Sequence, residues 1–179
     1  MIPRRATLAR LGGLAALSLL VGCGFQPVYM PTASDEAGVA QREMGAVFVE
    51  SLGERSGQLL RQALQERFER AGPGIAKRYS LTVAYGVAGE GLGVQSDNPV
   101  PRVRVIGDAK WYLVAQDPAK TRLAAGQARA VDGYNILNQQ YFFGDLSNEA
   151  SQKRMADALA EQIAIQVAAW FRGRAAEAG

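Results

Sequence analysis

An uncharged run that ends at the chain's only cysteine constrains this protein more than any other stretch. The run extends from Leu11 to Gly22, leads directly into Cys23, and is preceded by Arg4, Arg5 and Arg10. A basic start, a short apolar centre and small residues at the end are the order of a secretory signal peptide. A transmembrane helix would need about 20 apolar residues, and this run is shorter. The sequence therefore predicts an exported protein with an N-terminal signal peptide.

The residues around Cys23 indicate how such a protein is held at a membrane. Leu20-Val21-Gly22-Cys23 resembles the lipobox of bacterial lipoproteins. In that class the signal peptide is cut directly before the cysteine, which here implies removal of residues 1–22. The cysteine carries a diacylglyceryl group and, on its new amine, an N-acyl chain such as palmitate. The resemblance implies this lipid on Cys23 and no other cofactor. It also implies that Gly24, in place of Asp, permits sorting to the outer membrane on its periplasmic side. The alternative is an ordinary signal peptide cut elsewhere, which leaves a lone exported thiol unexplained.

The charge balance gives no support to nucleic-acid binding. The full chain has 20 basic and 17 acidic residues, for a net charge of +3. Three of the basic residues lie in the predicted signal peptide, so the 157 residues that follow it carry 17 of each sign. Binding to nucleic acid requires a clustered excess of basic charge. We therefore expect no nucleic-acid partner and a single domain of ordinary size.

Composition and periodicity predict an α+β domain. Residues 23–44 contain Pro27 and Pro31 and are expected to form the lipidated N-terminus and a flexible tether. The domain is expected over 45–172, with a frayed tail over 173–179. Alternating apolar residues predict strands and fourfold-spaced apolar residues predict helices, in the order strand 46–52, helix 56–72, strand 79–87, strand 102–116, strand 121–134, helix 148–172. The expected architecture is a four-stranded sheet with two helices packed on one face, with 135–146 as a polar-aromatic connection.

The same alternation assigns residues to the two faces of the sheet. In the longest strand, Val105, Ala109, Trp111 and Leu113 share one side, whereas Arg102, Arg104 and Lys110 share the other. The last strand has small residues at its even positions, which predicts that a helix lies close above it: Ala124, Gly126, Ala128 and Ala130.

Several kinds of catalytic chemistry lack their residues in this sequence. The chain contains no histidine, and its one cysteine is expected to be acylated. Serine and cysteine nucleophiles paired with histidine are therefore excluded, as are most zinc sites. Pairs of carboxylates for glycoside hydrolysis stay formally possible, but the aspartates show no recognisable spacing. We expect a binding or assembly protein without enzymatic activity and without a metal site.

Four short sequences, in order along the chain, resemble one family. Cys23-Gly24-Phe25-Gln26-Pro27-Val28-Tyr29 is similar to the opening of the lipopolysaccharide-assembly lipoproteins, the LptE family. The segment from Arg55 to Arg61 resembles the start of that family's first helix. Ala128-Arg129-Ala130 with Gly133-Tyr134-Asn135 is similar to its last strand, and Arg154 to Ile163 suits its closing helix. The chain looks like an alphaproteobacterial type. One departure is the segment 138–148, which contains Tyr141, Phe142 and Phe143.

The resemblance implies a partner and a role. LptE proteins sit in the outer membrane as a plug inside a large β-barrel, LptD, help that barrel to fold, and with it deliver lipopolysaccharide to the cell surface. A lipoprotein auxiliary of a phospholipid-trafficking ABC transporter is the alternative. If lipopolysaccharide binds directly, Arg102, Arg104 and Lys110 are the candidate contacts, because arginine and lysine bind phosphates. The competing interpretation of these residues is an ordinary solvated face of mixed charge.

Overall fold

The structure is a computed structural model and describes residues 38–71, 74–92, 102–135 and 141–177. Its elements in chain order are α1 (Val39–Gly45), β1 (Val47–Val49), α2 (Glu54–Ala71), β2 (Tyr79–Leu92), β3 (Arg102–Ala115), β4 (Arg122–Asn135) and α3 (Tyr141–Glu177). This confirms the α+β class and the expected succession of elements, with one short helix added before it. The predicted signal peptide, Cys23 and residues 24–37 of the predicted tether lie outside the described residues.

The four strands form one mixed sheet in the order β1-β2-β3-β4. β1 runs parallel to β2, since α2 connects them and parallel neighbours need such a crossover. The other two pairs are antiparallel over nearly their full length. β2 continues to Leu92, past its predicted end at Val87, because residues 88–92 pair with residues 102–106 of β3.

The core lies between one face of this sheet and the helices, as predicted. On α2, the side chains of Leu60, Leu64 and Phe68 are at most 1% exposed. On the sheet, alternate residues of β2 and β3 are buried, and these include Leu81, Ala109, Trp111 and Leu113. The side chains of a strand point alternately to its two faces, so the burial of these residues leaves their neighbours on the uncovered face.

The small residues at even positions of β4 allow α3 to pack close to the sheet. This confirms the prediction that a helix lies close above these residues. A Cβ atom added at Gly126 would lie 2.6 Å from Oε1 of Gln166 on α3 and 2.7 Å from the ring of Trp111. A Cβ atom at Gly107 of β3 would overlap the side chain of Met155. Both glycines are therefore sites where no side chain fits between helix and sheet.

The tether prediction is wrong at its C-terminal end, because residues 39–44 belong to the packed helix α1. Ala40 and Met44 of α1 are buried. Glu43 accepts hydrogen bonds from the Arg78 guanidinium at 2.8 Å and from the Tyr79 hydroxyl at 2.7 Å. A seven-residue helix is not stable alone, so these tertiary contacts hold it, and local sequence patterns do not report them.

The last helix is also longer than predicted. The sequence predicts a connection over 135–146, but α3 begins at Tyr141, within that interval. It continues beyond the predicted end at Arg172 to Glu177. No proline interrupts either extension, and the alanine-rich end favours a helix. No helix within the described ranges is both long and apolar enough to cross a bilayer.

Candidate functional site on the open face of the sheet

The sheet face opposite the helices is the candidate site. It carries even-numbered residues of β2 and β3 and odd-numbered residues of β4, because the residues of opposite parity are buried under the helices. Arg102, Arg104 and Lys110 are exposed on this face, where the sequence placed them. We call this surface the open face.

The open face carries an excess of positive charge within the described residues. Its basic side chains are Arg102, Arg104, Lys110, Arg122 and Arg129, and its acidic side chains are Glu90 and Asp108. Arg122 belongs to it because its guanidinium lies over the ring of Tyr112, 5.1 Å from the ring centroid. A face with this excess attracts anions to a surface that no helix covers.

Two ion pairs partly neutralise the open face. Arg104 Nη1 lies 3.6 Å from Glu90 Oε2, its direct neighbour on β2. Arg129 Nε lies 3.7 Å from Asp108 Oδ1 across the β3–β4 pair. All four side chains are about half exposed, from 47% to 63%, so each pair contributes little to stability. Neither pair therefore prevents its arginine from turning toward a ligand.

The open face contains shallow cavities, and they divide the predicted contacts into two groups. Arg102 and Arg104 line a cavity of about 480 Å³ with Leu92 and Val131. Lys110 lines a different cavity of this face, of about 400 Å³, beside Ile106. Arg104 and Lys110 are six residues apart on one strand, which corresponds to about 20 Å. The structure thus places the three predicted residues on one face but not at one point.

A partly exposed carboxylate, that of Asp132, also borders the Arg102–Arg104 cavity. This carboxylate accepts a hydrogen bond of 3.0 Å from Nε of Arg154 on α3 and forms an ion pair with Nη2 of the same guanidinium at 2.7 Å. Burial alone would raise the pKa of Asp132, but the Gly133 N–H and the Arg154 guanidinium outweigh burial and lower that pKa below its ordinary value. The Asp132 carboxylate therefore pairs with Arg154 of α3, and it neutralises the positive charge of Arg102 and Arg104 only weakly.

Comparison with known proteins bears on the fold. No protein-family model matches this chain, and no curated protein sequence matches it. A Caulobacter crescentus protein thought to be a lipoprotein superposes with a TM-score of 0.62 at 18% identity, over 75% of this chain and 96% of that one. The minor lipoprotein from Acinetobacter baumannii gives 0.53 at 16% identity, over 69% and 88%. Rare lipoprotein B from Shewanella oneidensis gives 0.50 at 13% identity, over 69% and 92%.

Bacterial lipoproteins share this fold. At such low identities the likeness shows the fold alone, and it transfers no binding residue to this chain.

Sequence reasoning missed Arg129 as part of the open face. The odd parity of Arg129 on β4 was available from the sequence, but its apposition to Asp108 depends on the β3–β4 register. The place of Arg122 beside Tyr112 follows an irregularity of that register near Val114, which the sequence alone does not show. Within the described ranges, no group of three or more potential ligand side chains is placed to hold a metal ion.

Proposed function

We propose that this chain is an outer-membrane lipoprotein of the LptE type, without enzymatic activity, that plugs and helps to assemble the β-barrel LptD. In this role it takes part in the insertion of lipopolysaccharide at the cell surface. The observation that supports the proposal most is the combination of a lipobox at Cys23 with a fold shared with rare lipoprotein B from Shewanella oneidensis. Three of the four short sequences that resemble the LptE family lie in the described part of this fold, in α2, β4 and α3.

The open face fits the ligand that this role requires. Lipopolysaccharide presents phosphates and acidic sugars, and arginine makes bidentate hydrogen bonds to phosphate. Arg102 and Lys110 have no ion-pair partner among the residues that the structure describes. The cavity beside Arg102 and Arg104 also has an apolar border, formed by Leu92 and Val131. Anionic groups bound there would displace only the weak Arg104–Glu90 pair.

The anchor follows from the same proposal. Acyl chains on Cys23 would each contribute about 0.8 kcal/mol per buried CH₂, so that several chains give stable attachment where one chain does not. The domain would then face the periplasm and reach its barrel partner through the segment after Cys23. No transmembrane helix is required.

Capture of partners from outer membranes tests the proposal. The full-length protein, tagged at its C-terminus, would be extracted in a mild detergent and its co-purifying proteins identified by mass spectrometry. We expect a large outer-membrane β-barrel in about equal amount. Components of a phospholipid-trafficking ABC transporter without a barrel would favour the alternative function. Recovery of the protein alone would contradict both. The matched control is the same tag on an unrelated outer-membrane lipoprotein.

A further inference from the structure

Side chains of α3 cover part of the outer edge of the sheet, which is formed by β4. β4 is the last strand of the sheet and is 14 residues long, and it contains no proline. The outer edge of such a strand presents N–H and C=O groups to which another strand can pair. Natural proteins block edges of this kind, so the means by which this one is blocked is informative.

Two glutamines of α3 occupy the middle of that edge. Gln162 accepts a hydrogen bond from the Arg129 N–H at 3.3 Å and donates one to the Arg129 carbonyl at 3.1 Å. Gln166 donates to the Gln127 carbonyl at 3.0 Å. Backbone groups of an edge strand point outward at every second residue, and Gln127 and Arg129 are two such residues. The two side-chain amides thus take the place of a fifth strand.

The surroundings of these glutamines hold them in place. They are four residues apart and therefore lie on the same side of the helix. Oε1 of Gln166 accepts a hydrogen bond of 2.9 Å from the buried Trp111 Nε1, which fixes the orientation of its amide. The missing side chain at Gly126 leaves the space that this amide occupies. The arrangement is built by three elements and is more than a chance surface contact.

We propose that Gln162 and Gln166 form an amide clamp that keeps the outer edge of β4 closed to strand addition by a second copy of this chain. The inference goes beyond the proposed function and does not depend on it. Without the clamp, the edge would be free to pair with an added strand over its central residues.

The sequence of β4 indicates that the strand most suited to pair with this edge is β4 of a second copy of the chain. In an antiparallel self-pairing centred on Gln127, Arg129 would face Ala125, and Val131 would face Leu123. This register places no like charges opposite each other on the open face and sets two apolar side chains together, and apolar cross-strand pairs stabilise a sheet. The strand is therefore complementary to itself, and among the residues that the structure describes the clamp is what protects its centre.

The test uses the full-length protein in detergent and a fluorescein-labelled peptide with the sequence of residues 122–135. Gln162→Met removes both bonds to Arg129 while keeping the side-chain length and a good helix former. We expect peptide binding, measured by fluorescence anisotropy, to be at least about tenfold tighter for Q162M than for wild type. Hydrogen exchange at the Arg129 N–H should also be faster, by about tenfold, because its acceptor is lost.

Gln152→Met is the matched control, since Gln152 lies on the same helix and its amide contacts Asn148 of that helix instead of the strand. We expect it to behave as wild type. If Q162M fails to fold, Gln162→Glu replaces it, because glutamate still accepts from the Arg129 N–H but cannot donate to the carbonyl. Equal peptide affinity for wild type and the folded variant would overturn the proposal, whatever the exchange rate.

Discussion

Arg102 and Arg104 share the open face of β3 but differ in what restrains them. Arg104 has a weak ion pair with Glu90 on the neighbouring strand. Arg102 has no ion-pair partner in the described part of the chain. Because the pair is long and half exposed, breaking it costs little. Both guanidinium groups are consequently free to bind an anionic ligand that enters the cavity between them and Val131.

Charge reversal at these two positions tests direct binding of lipopolysaccharide. We expect Arg102→Glu with Arg104→Glu to weaken binding by about tenfold or more, since hydrogen bonds to charged groups contribute about 1.5 to 3 kcal/mol each. Fluorescent lipopolysaccharide and the full-length protein in detergent would give the dissociation constant. Stability should fall by less than about 1 kcal/mol, from the new repulsion of Glu90.

The control for that prediction is Arg55→Glu with Arg70→Glu, which reverses two exposed arginines of α2 on the covered side of the molecule. It has the same net charge as the test variant. Equal losses of lipopolysaccharide affinity in the two double variants would mean that only the net charge matters. Arg102 and Arg104 would then belong to an ordinary solvated face without a binding role.

Asp132 predicts a pH dependence of stability. Its pKa is lowered in the folded protein from an ordinary value of 3.8, since hydrogen bonds from Gly133 and Arg154 outweigh its burial. A lowered folded pKa contributes stability above the unfolded pKa, and this contribution is lost as the pH falls through the folded pKa. In urea unfolding between about pH 7 and pH 3, Asp132→Asn should lose less stability on acidification than wild type. Glu66→Gln, at an exposed position of α2, is the control; an identical pH profile for D132N and wild type would contradict the assignment.

At the scale of elements, α1 is held by contacts that can be removed one at a time. Glu43 joins α1 to Arg78 and Tyr79 at the start of β2. Burial of Tyr79, together with the hydrogen bond and charge of Glu43, raises the pKa of its hydroxyl above 10.0. The hydroxyl therefore stays protonated at neutral pH and remains a donor to Glu43.

Glu43→Ala should release α1 without unfolding the sheet. We expect a loss of about 1 to 2 kcal/mol, which is the scale of hydrogen bonds to a charged group that is partly exposed. Hydrogen exchange measured by mass spectrometry should speed up in residues 39–45 and stay slow in β2 and β3. Glu66→Ala breaks an exposed pair within α2 and serves as the control. Uniform acceleration across the domain would show that α1 belongs to the global core.

The elements differ in how well sequence alone predicts them, for physical reasons. β3 and α2 were predictable because each is buried on one side only. The spacing of apolar residues along the sequence then matches the period of the strand or of the helix. α1 depends on Met44 and Glu43 meeting distant residues, so no local pattern reveals it. In the candidate site, the parity of β3 predicted Arg102, Arg104 and Lys110. The pairing of Arg129 with Asp108 required the register between strands, which a single sequence does not contain.

At the scale of the whole molecule, the two faces of the sheet differ: one forms the core and the other is exposed to solvent. The helices cover one face and build the core with it, and they approach the sheet closely at Gly107 and Gly126. The opposite face keeps its charges in solvent, and the edge at β4 is closed by Gln162 and Gln166. A domain arranged in this way exposes its open face to partners and keeps the outer edge of β4 from pairing. This arrangement fits the proposed role beside the strands of a barrel.

The attachment of this domain to a membrane is predicted to depend on one atom, the sulfur of Cys23. Cys23→Ala should abolish incorporation of labelled palmitate and move the protein from the membrane fraction to the soluble periplasmic fraction, because the acyl chains supply the anchoring free energy. An alkaline carbonate wash before fractionation removes protein held only by its partners. Thr32→Ala, in the segment that follows, should stay lipidated and membrane-bound. If C23A resists the wash as wild type does, the lipid is not the anchor, and the outer-membrane proposal loses its physical basis.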